Sequence, residues 1–164
     1  MCIRDRLISV VTFLYLISEL ARMRGIAFPF FSFVTLRAAE KSEALEFVTS
    51  PIFYALGIIL SLLLFPTPAN YASIATLTLG DGCAAIFGKI YGKTTLPFNK
   101  GKNIEGTISG MVFAFLGSLV FIDPINALIT AALGMIAESL PLPINDNLAI
   151  PLTSGIVSTL ILTF

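Results

Sequence analysis

Residues 70–88 read NYASIATLTLGDGCAAIFG, an apolar run broken near its middle by Gly80-Asp81-Gly82. An α-helix needs about 20 mostly apolar residues to cross a bilayer, and this stretch has that length and character. An ionised carboxylate at the centre of such a helix costs at least ~2.5–3.5 kcal/mol on insertion scales, so it normally faces a polar cavity and has a function. Gly80 and Gly82 permit close backbone approach or a local break in the helix. The alternative is a buried acid paired to a lysine for packing alone. Asp81 therefore marks both the fold class and the first candidate site residue.

The rest of the chain supports a membrane reading. Of 164 residues, 56% are hydrophobic and 12% charged, and mean hydropathy is +0.93. Soluble domains carry about 25% charged residues, so composition excludes an ordinary soluble domain and a disordered chain. Ten basic and ten acidic residues cancel, which gives no bulk attraction for nucleic acid. Histidine is absent, which removes His-based triads, His general bases and most zinc catalysis. Cys2 and Cys83 are too few and too far apart for a disulfide framework or a metal knuckle. The expected fold is an all-α polytopic bundle of about six spans: Leu7 to Met23, Pro51 to Phe65, Asn70 to Gly88, Ile108 to Ile122, Ile125 to Leu140 and Leu148 to Phe164. Pro66, Pro68, Asp123-Pro124, Pro141 and Pro143 punctuate them.

Basic residues set the orientation. Arg22, Arg24, Arg37 and Lys41 fall in the first long connection, and Lys89, Lys93, Lys100 and Lys102 in the second. The connections 66–69 and 123–124 carry none. By the positive-inside rule, 24–50, 89–107 and 141–147 face the cytoplasm and both termini lie outside. Phe28, Phe30, Phe31 and Phe33 around Pro29 suit the headgroup boundary. The charged stretch with Glu40, Lys41, Glu43 and Glu46 reads as a solvated connecting helix, or as a lid or lipid-entry element.

The second connection, KIYGKTTLPFNKGKNIEGT over 89–107, follows Gly88 directly and has one acid, Glu105. Glycines let backbone N–H groups approach an anion and lysines neutralise it, a composition suited to a polyphosphate. It is not a Walker A loop, because Phe87 stands where the pattern ending at Gly92-Lys93-Thr94 needs glycine. The alternative is a topology signal alone. Glu138 lies near the end of the fifth span, in MIAESLPLPINDN over 135–147, with Asp146 and Asn147 following. Glu19 reads as a partner of Arg22 or Arg24. Asp81, Glu105, Glu138 and Asp146 thus fall at or near one membrane face, beside four lysines. Carboxylates suit Mg²⁺, which is typically held by one or two of them plus substrate phosphates. These are the components of phosphoryl or nucleotidyl transfer.

Gly80-Asp81-Gly82 through Gly88-Lys89 and Gly92-Lys93, Leu96-Pro97, and Lys102-Asn103-Ile104-Glu105-Gly106-Thr107 together resemble the core motif of the CTP-dependent polyprenol kinase family, which includes dolichol, phytol and CTP-using diacylglycerol kinases. Glu138-Ser139-Leu140-Pro141 through Asn145-Asp146-Asn147-Leu148 and Pro151-Leu152 resembles that family's downstream E-x-L-P…D-D-N-L-x-x-P-L block, with Asn145 in place of the first Asp. The wider superfamily includes phosphatidate cytidylyltransferase, whose middle motif is similar. Its C-terminal block needs histidine and arginine, and this chain has no histidine and no arginine beyond Arg37. The Arg-Lys-x-x-His motif of many family members is missing, so the chain is expected to be a single catalytic domain over 1–164 that lacks leading helices.

The resemblance implies transfer of the CTP γ-phosphate to the hydroxyl of an isoprenoid alcohol, by a multi-pass membrane enzyme whose site faces the cytoplasm. Asp81 and Asp146 would hold Mg²⁺ or another divalent cation. Gly82, Gly88, Lys89, Gly92, Lys93, Lys102 and Gly106 would bind nucleotide phosphates. Glu105 would orient a lysine or the metal, Glu138 would bind metal or take the alcohol proton, and Asn147 would belong to the same block. The implied partners are the lipid alcohol, the nucleotide and membrane lipids, with no nucleic acid and no protein partner inferred. The rival functions are CDP-diacylglycerol synthesis and membrane transport.

Overall fold

The computed structural model describes residues 50–163, together with Val10, Phe13, Leu14 and Ile17. The expected first span and first connection otherwise lie outside the described residues. The chain divides into two compact units, one ending at Ile59 and one beginning at Leu60, and the second contains every candidate site residue. Among the described residues the regular structure is helical: α1 Ser50–Leu64, α2 Ala69–Ala75, a π-helical turn Thr76–Asp81, α3 Gly82–Tyr91, α4 Ile104–Ser118, α5 Pro124–Ser139 and α6 Asp146–Thr163.

Local sequence explains the boundaries. Asp123 starts α5 from an extended conformation, accepting the Asn126 N–H at 3.3 Å, with Pro124 in the first helical position. At the head of α6, Asn145 Oδ1 accepts the Asn147 N–H at 3.0 Å. Asparagine caps as well as aspartate, so the Asn145 departure from the family block preserves this role. The glycines around Asp81 do not break their helix. Thr76 and Gly82 both keep right-handed helical angles, so α2, the π turn and α3 form one continuous run. Its widened turn ends on Asp81. Single π turns inside α-helices occur frequently at functional sites.

The packing is the reverse of a soluble bundle. Gly106, Gly110, Ala114 and Ser118 form a buried ridge of small residues along α4, four apart. It lies on Gly80, Ala84 and Gly88 of the facing run. A Cβ on Gly106 would stand 2.9 Å from the Ala84 carbonyl oxygen, and one on Gly110 would stand 2.8 Å from that of Gly80. Both obstacles are backbone, so only glycine permits this approach. Small residues at spacing four are how helices pack where lipid supplies no hydrophobic drive between them. Other interior positions are also small, among them Ala72, Ala127, Ala131, Ser154 and Ser158. Leu77 and Ile150 are buried, but many large aliphatics point outward: Val120 is 75% exposed and Ile125 70%, with Leu63, Ile86, Ile108 and Leu160 also exposed. Among the described residues α6 is long and apolar enough to cross a membrane, and α1, α4 and α5 are shorter apolar helices.

The two ends of the unit differ. At one, Tyr71 and Phe121 pack with ring centroids 5.4 Å apart, near Ala72, Ile122 and Ala127. At the other, the loop 92–103 meets the end of α5 and the start of α6, and the described charged residues apart from Asp123 lie there.

Candidate active site

The 92–103 connection is folded, not slack. The Leu96 N–H donates to the Lys102 carbonyl at 2.9 Å and the Ile104 N–H to that of Thr94 at 2.9 Å, while Thr95 and Asn103 form an antiparallel bridge. Leu96 is buried beneath it. Side chains fasten both flanks. The Glu105 carboxylate accepts the Thr94 N–H, at 3.1 and 3.2 Å from its two oxygens. Asn103 Nδ2 donates to the Gly88 carbonyl at 3.1 Å, and Asn99 Nδ2 to that of Ser139 at 3.2 Å. The last bond ties the loop to the end of α5.

Lys102 is thereby aimed at the acids. Its ammonium pairs with Glu138 Oε1 and stands 2.7 Å from Asp146 Oδ2. Burial disfavours the Lys102 charge, but the hydrogen bonds it donates to Asp146 and Glu138 outweigh this and raise its pKa above the ordinary lysine value. Asp81, half-buried at the end of the π turn, lies within electrostatic reach of Lys102, Asp146 and Glu138. Glu138 is 2% exposed, and its Oε2 is buried with no hydrogen-bond partner. Glu105 has its pKa lowered, first by its own backbone N–H and, against a burial effect that raises it, also by the Thr94 N–H.

The expected site residues thus separate into groups. Asp81, Lys102, Glu138 and Asp146 come together. Lys89 and Lys93 are exposed at the end of α3 and just beyond it, and Lys100 is exposed on the loop. Among the described residues no ion pair engages these three. Glu105 lies at the loop's outer flank, where it holds Thr94, and among the described residues it forms no ion pair with a lysine. Gly88 and Gly106 sit in the helix crossing, where a Cβ on Gly106 would be 3.1 Å from Gly88 Cα. Gly92 turns the chain beneath Asn103, whose Cγ a Cβ on Gly92 would meet at 2.8 Å. Gly82 faces open space, with nothing within 4 Å of where its Cβ would be. Asn147 is half-buried in the first turn of α6 and donates its N–H to the Asn145 cap. Sequence reasoning missed the stapling roles of Asn99 and Asn103, which lay in plain view as amides inside a Lys/Gly loop. It also placed Lys102 on phosphate without seeing its two acidic partners.

Among the described residues no group of three Asp, Glu or Cys side chains closes around a single metal position. The donor chemistry nevertheless suits a hard cation. Carboxylate oxygens converge, one buried oxygen has no partner, and the cation they share is an ammonium.

Comparison with known proteins gives relatives named phytol kinase and farnesol kinase. The chain is 32% identical over 138 residues to a protein named probable phytol kinase 1, chloroplastic, from Glycine max, covering 73% of this chain and 46% of the relative. It is 31% identical over 134 residues to the chloroplastic farnesol kinase of Arabidopsis thaliana, with 71% and 44% covered. It is 28% identical over 134 residues to phytol kinase 1 of the same plant, with 70% and 44% covered. The chain therefore spans less than half the length of these relatives. No family model matches it. No solved structure matches it.

Proposed function

We propose that this chain, which belongs with the phytol and farnesol kinases in the polyprenol kinase family, carries the catalytic end of a membrane-embedded kinase for isoprenoid alcohols. The observation that carries the reading is the convergence of Asp81, Lys102, Glu138 and Asp146 at one end of a bundle with small residues inside and large aliphatics outside. An aliphatic exterior suits lipid, so the isoprenoid tail can stay in the bilayer while its hydroxyl reaches the charged end. By the lysine distribution this end faces the cytoplasm, and the helices cross the membrane several times.

The alcohol oxygen attacks the terminal phosphorus of the nucleotide, which by family resemblance is CTP. The bond from that phosphorus to the bridging oxygen breaks, and the nucleoside diphosphate leaves with its electron pair. The hydroxyl proton passes to Glu138, whose Oε2 has no other partner. Asp81 and Asp146 would hold Mg²⁺, which supplies charge neutralisation on the transferring phosphoryl group. Lys89 and Lys93, exposed beside Gly92, meet the incoming phosphates, and Lys102 reaches them from the acid cluster. Glu105 fixes the loop that carries Lys102 and so acts as a positioning residue.

The test is direct. The purified chain in lipid nanodiscs is offered γ-labelled CTP or ATP with phytol, farnesol or a longer polyprenol. Labelled lipid monophosphate is the expected product. Pyrophosphate with a CDP-lipid would make it a cytidylyltransferase, and no transfer with any alcohol would overturn the reading.

A further inference from the structure

We infer that Lys102 is an internal cation that fills the acid cluster until nucleotide arrives, so that free divalent cation is excluded and the metal enters only as its nucleotide complex. This deepens the kinase reading and rests on it for the identity of the nucleotide.

The geometry makes the two cations alternatives. The Lys102 ammonium bridges Glu138 and Asp146, at 2.7 Å from Asp146 Oδ2. A metal bound to Asp146 Oδ2 would compete with Nζ for that oxygen. Yet the cluster is not satisfied. Two carboxylates share one ammonium with the Asp81 charge in electrostatic reach, and Glu138, 2% exposed, keeps a buried Oε2 without a partner. A lone ammonium brings a single charge to these acids, whereas a dication held by Asp81 and Asp146 would bring two and leave the unpartnered oxygen free. Lys102 has somewhere to go. It is 26% exposed and sits on the same loop as Lys100, with Lys93 near its base, so a polyphosphate arriving there offers it a second set of acceptors. Phosphates carrying their own metal would take the ammonium and hand the cation to the carboxylates in one exchange.

The experiment is a Mn²⁺ titration of the full chain without nucleotide, with free Mn²⁺ read by electron paramagnetic resonance. Wild type is expected to bind Mn²⁺ weakly. Lys102→Met should bind at least about tenfold more tightly, a change of roughly 1.4 kcal/mol. Adding Asp146→Asn to Lys102→Met should abolish that gain. Lys102→Arg, which keeps the charge, should bind as weakly as wild type. Should Lys102→Met not fold, Lys102→Gln retains a donor for the carboxylates and is expected to show the same gain. Equal Mn²⁺ affinity in wild type and in the folded neutral variant overturns the inference. Kinase activity does not enter this readout. Tighter Mn²⁺ binding in a chain that phosphorylates no alcohol would keep the exclusion of free cation by Lys102 and remove the kinase reading, while transfer activity with equal affinities would do the reverse.

Discussion

Lys102 and Asp146, forty-four positions apart, are joined at 2.7 Å between Nζ and Oδ2, and this bond closes the charged end of the bundle. It links the loop before α4 to the first turn of α6, while the same ammonium reaches Glu138 at the end of α5. One side chain therefore holds three segments together.

Removing that side chain should cost stability, because it strands the buried Glu138 carboxylate without its partner. Breaking a buried pair by deleting one partner costs about 3–5 kcal/mol, and the partial exposure of Lys102 and Asp146 reduces this to roughly 2–3 kcal/mol for Lys102→Met. Adding Glu138→Gln should recover part of the loss, since the buried charge goes with its partner. A double-mutant cycle on denaturation in detergent measures the coupling, expected between about 0.5 and 3 kcal/mol. Strict additivity would mean that the two side chains do not interact in solution.

The pH dependence has a definite sign. The Lys102 pKa is raised above its ordinary 10.5 in the folded chain. Its contribution to stability is then full below the unfolded value and is lost as pH rises through the folded one. Melting temperature should fall at alkaline pH above about 10.5 in the wild type. Lys102→Arg, which does not titrate there, should keep a flatter profile over the same window. Parallel profiles would remove Lys102 as the titrating group.

Asp81→Asn separates chemistry from packing. It keeps shape and hydrogen-bonding capacity but removes a charge from the apolar helical run. If Asp81 carries the metal, the variant should insert and melt like wild type while phosphoryl transfer falls by roughly 100-fold or more, since charge stabilisation in the transition state is lost. Near-normal transfer in a variant with wild-type melting temperature would remove Asp81 from the site.

Much of this was readable in the chain, for physical reasons. Helix positions followed from apolar run length and from Asp123-Pro124 and the prolines at 66, 68, 141 and 143, and the described helix ends fall within four residues of the expected spans. The juxtaposition of the 89–107 and 141–147 connections followed from counting alternating spans, and the Lys102–Asp146 bond realises it. Pairwise partners were not readable. Nothing local to Lys102 says that it faces Glu138 and not a phosphate, because that depends on how the loop folds back over α5. The π turn was equally hidden, since Gly80-Asp81-Gly82 is compatible with a break, a kink or a widened turn. The ridge Gly106, Gly110, Ala114, Ser118 was visible as spacing four, but its glycines also suit phosphate binding, and only the contact with Gly80 and Ala84 assigns their packing role.

Two glycines expected on phosphate give the sharpest test of what each does. A methyl group on Gly106 would lie 2.9 Å from the Ala84 carbonyl oxygen and 3.1 Å from Gly88 Cα, so Gly106→Ala must push α4 off its neighbour. Overpacking of this kind costs about 1–3 kcal/mol, and activity should fall in step with melting temperature. Gly82 is the opposite case. Its Cβ would meet nothing within 4 Å, and its backbone is already helical, at φ −59° and ψ −46°. Alanine inside a helix is favoured over glycine by roughly 0.5–1 kcal/mol, so Gly82→Ala should fold as well as wild type or better. Yet Gly82 adjoins Asp81 and faces open space, where a phosphate or the alcohol carbon would have to pass. If substrate comes that close, Gly82→Ala raises melting temperature and lowers kcat/KM together, a combination that no packing defect produces. Melting curves and transfer kinetics on the two variants side by side decide it: a fully active Gly82→Ala protein would place the substrate path on another side of Asp81.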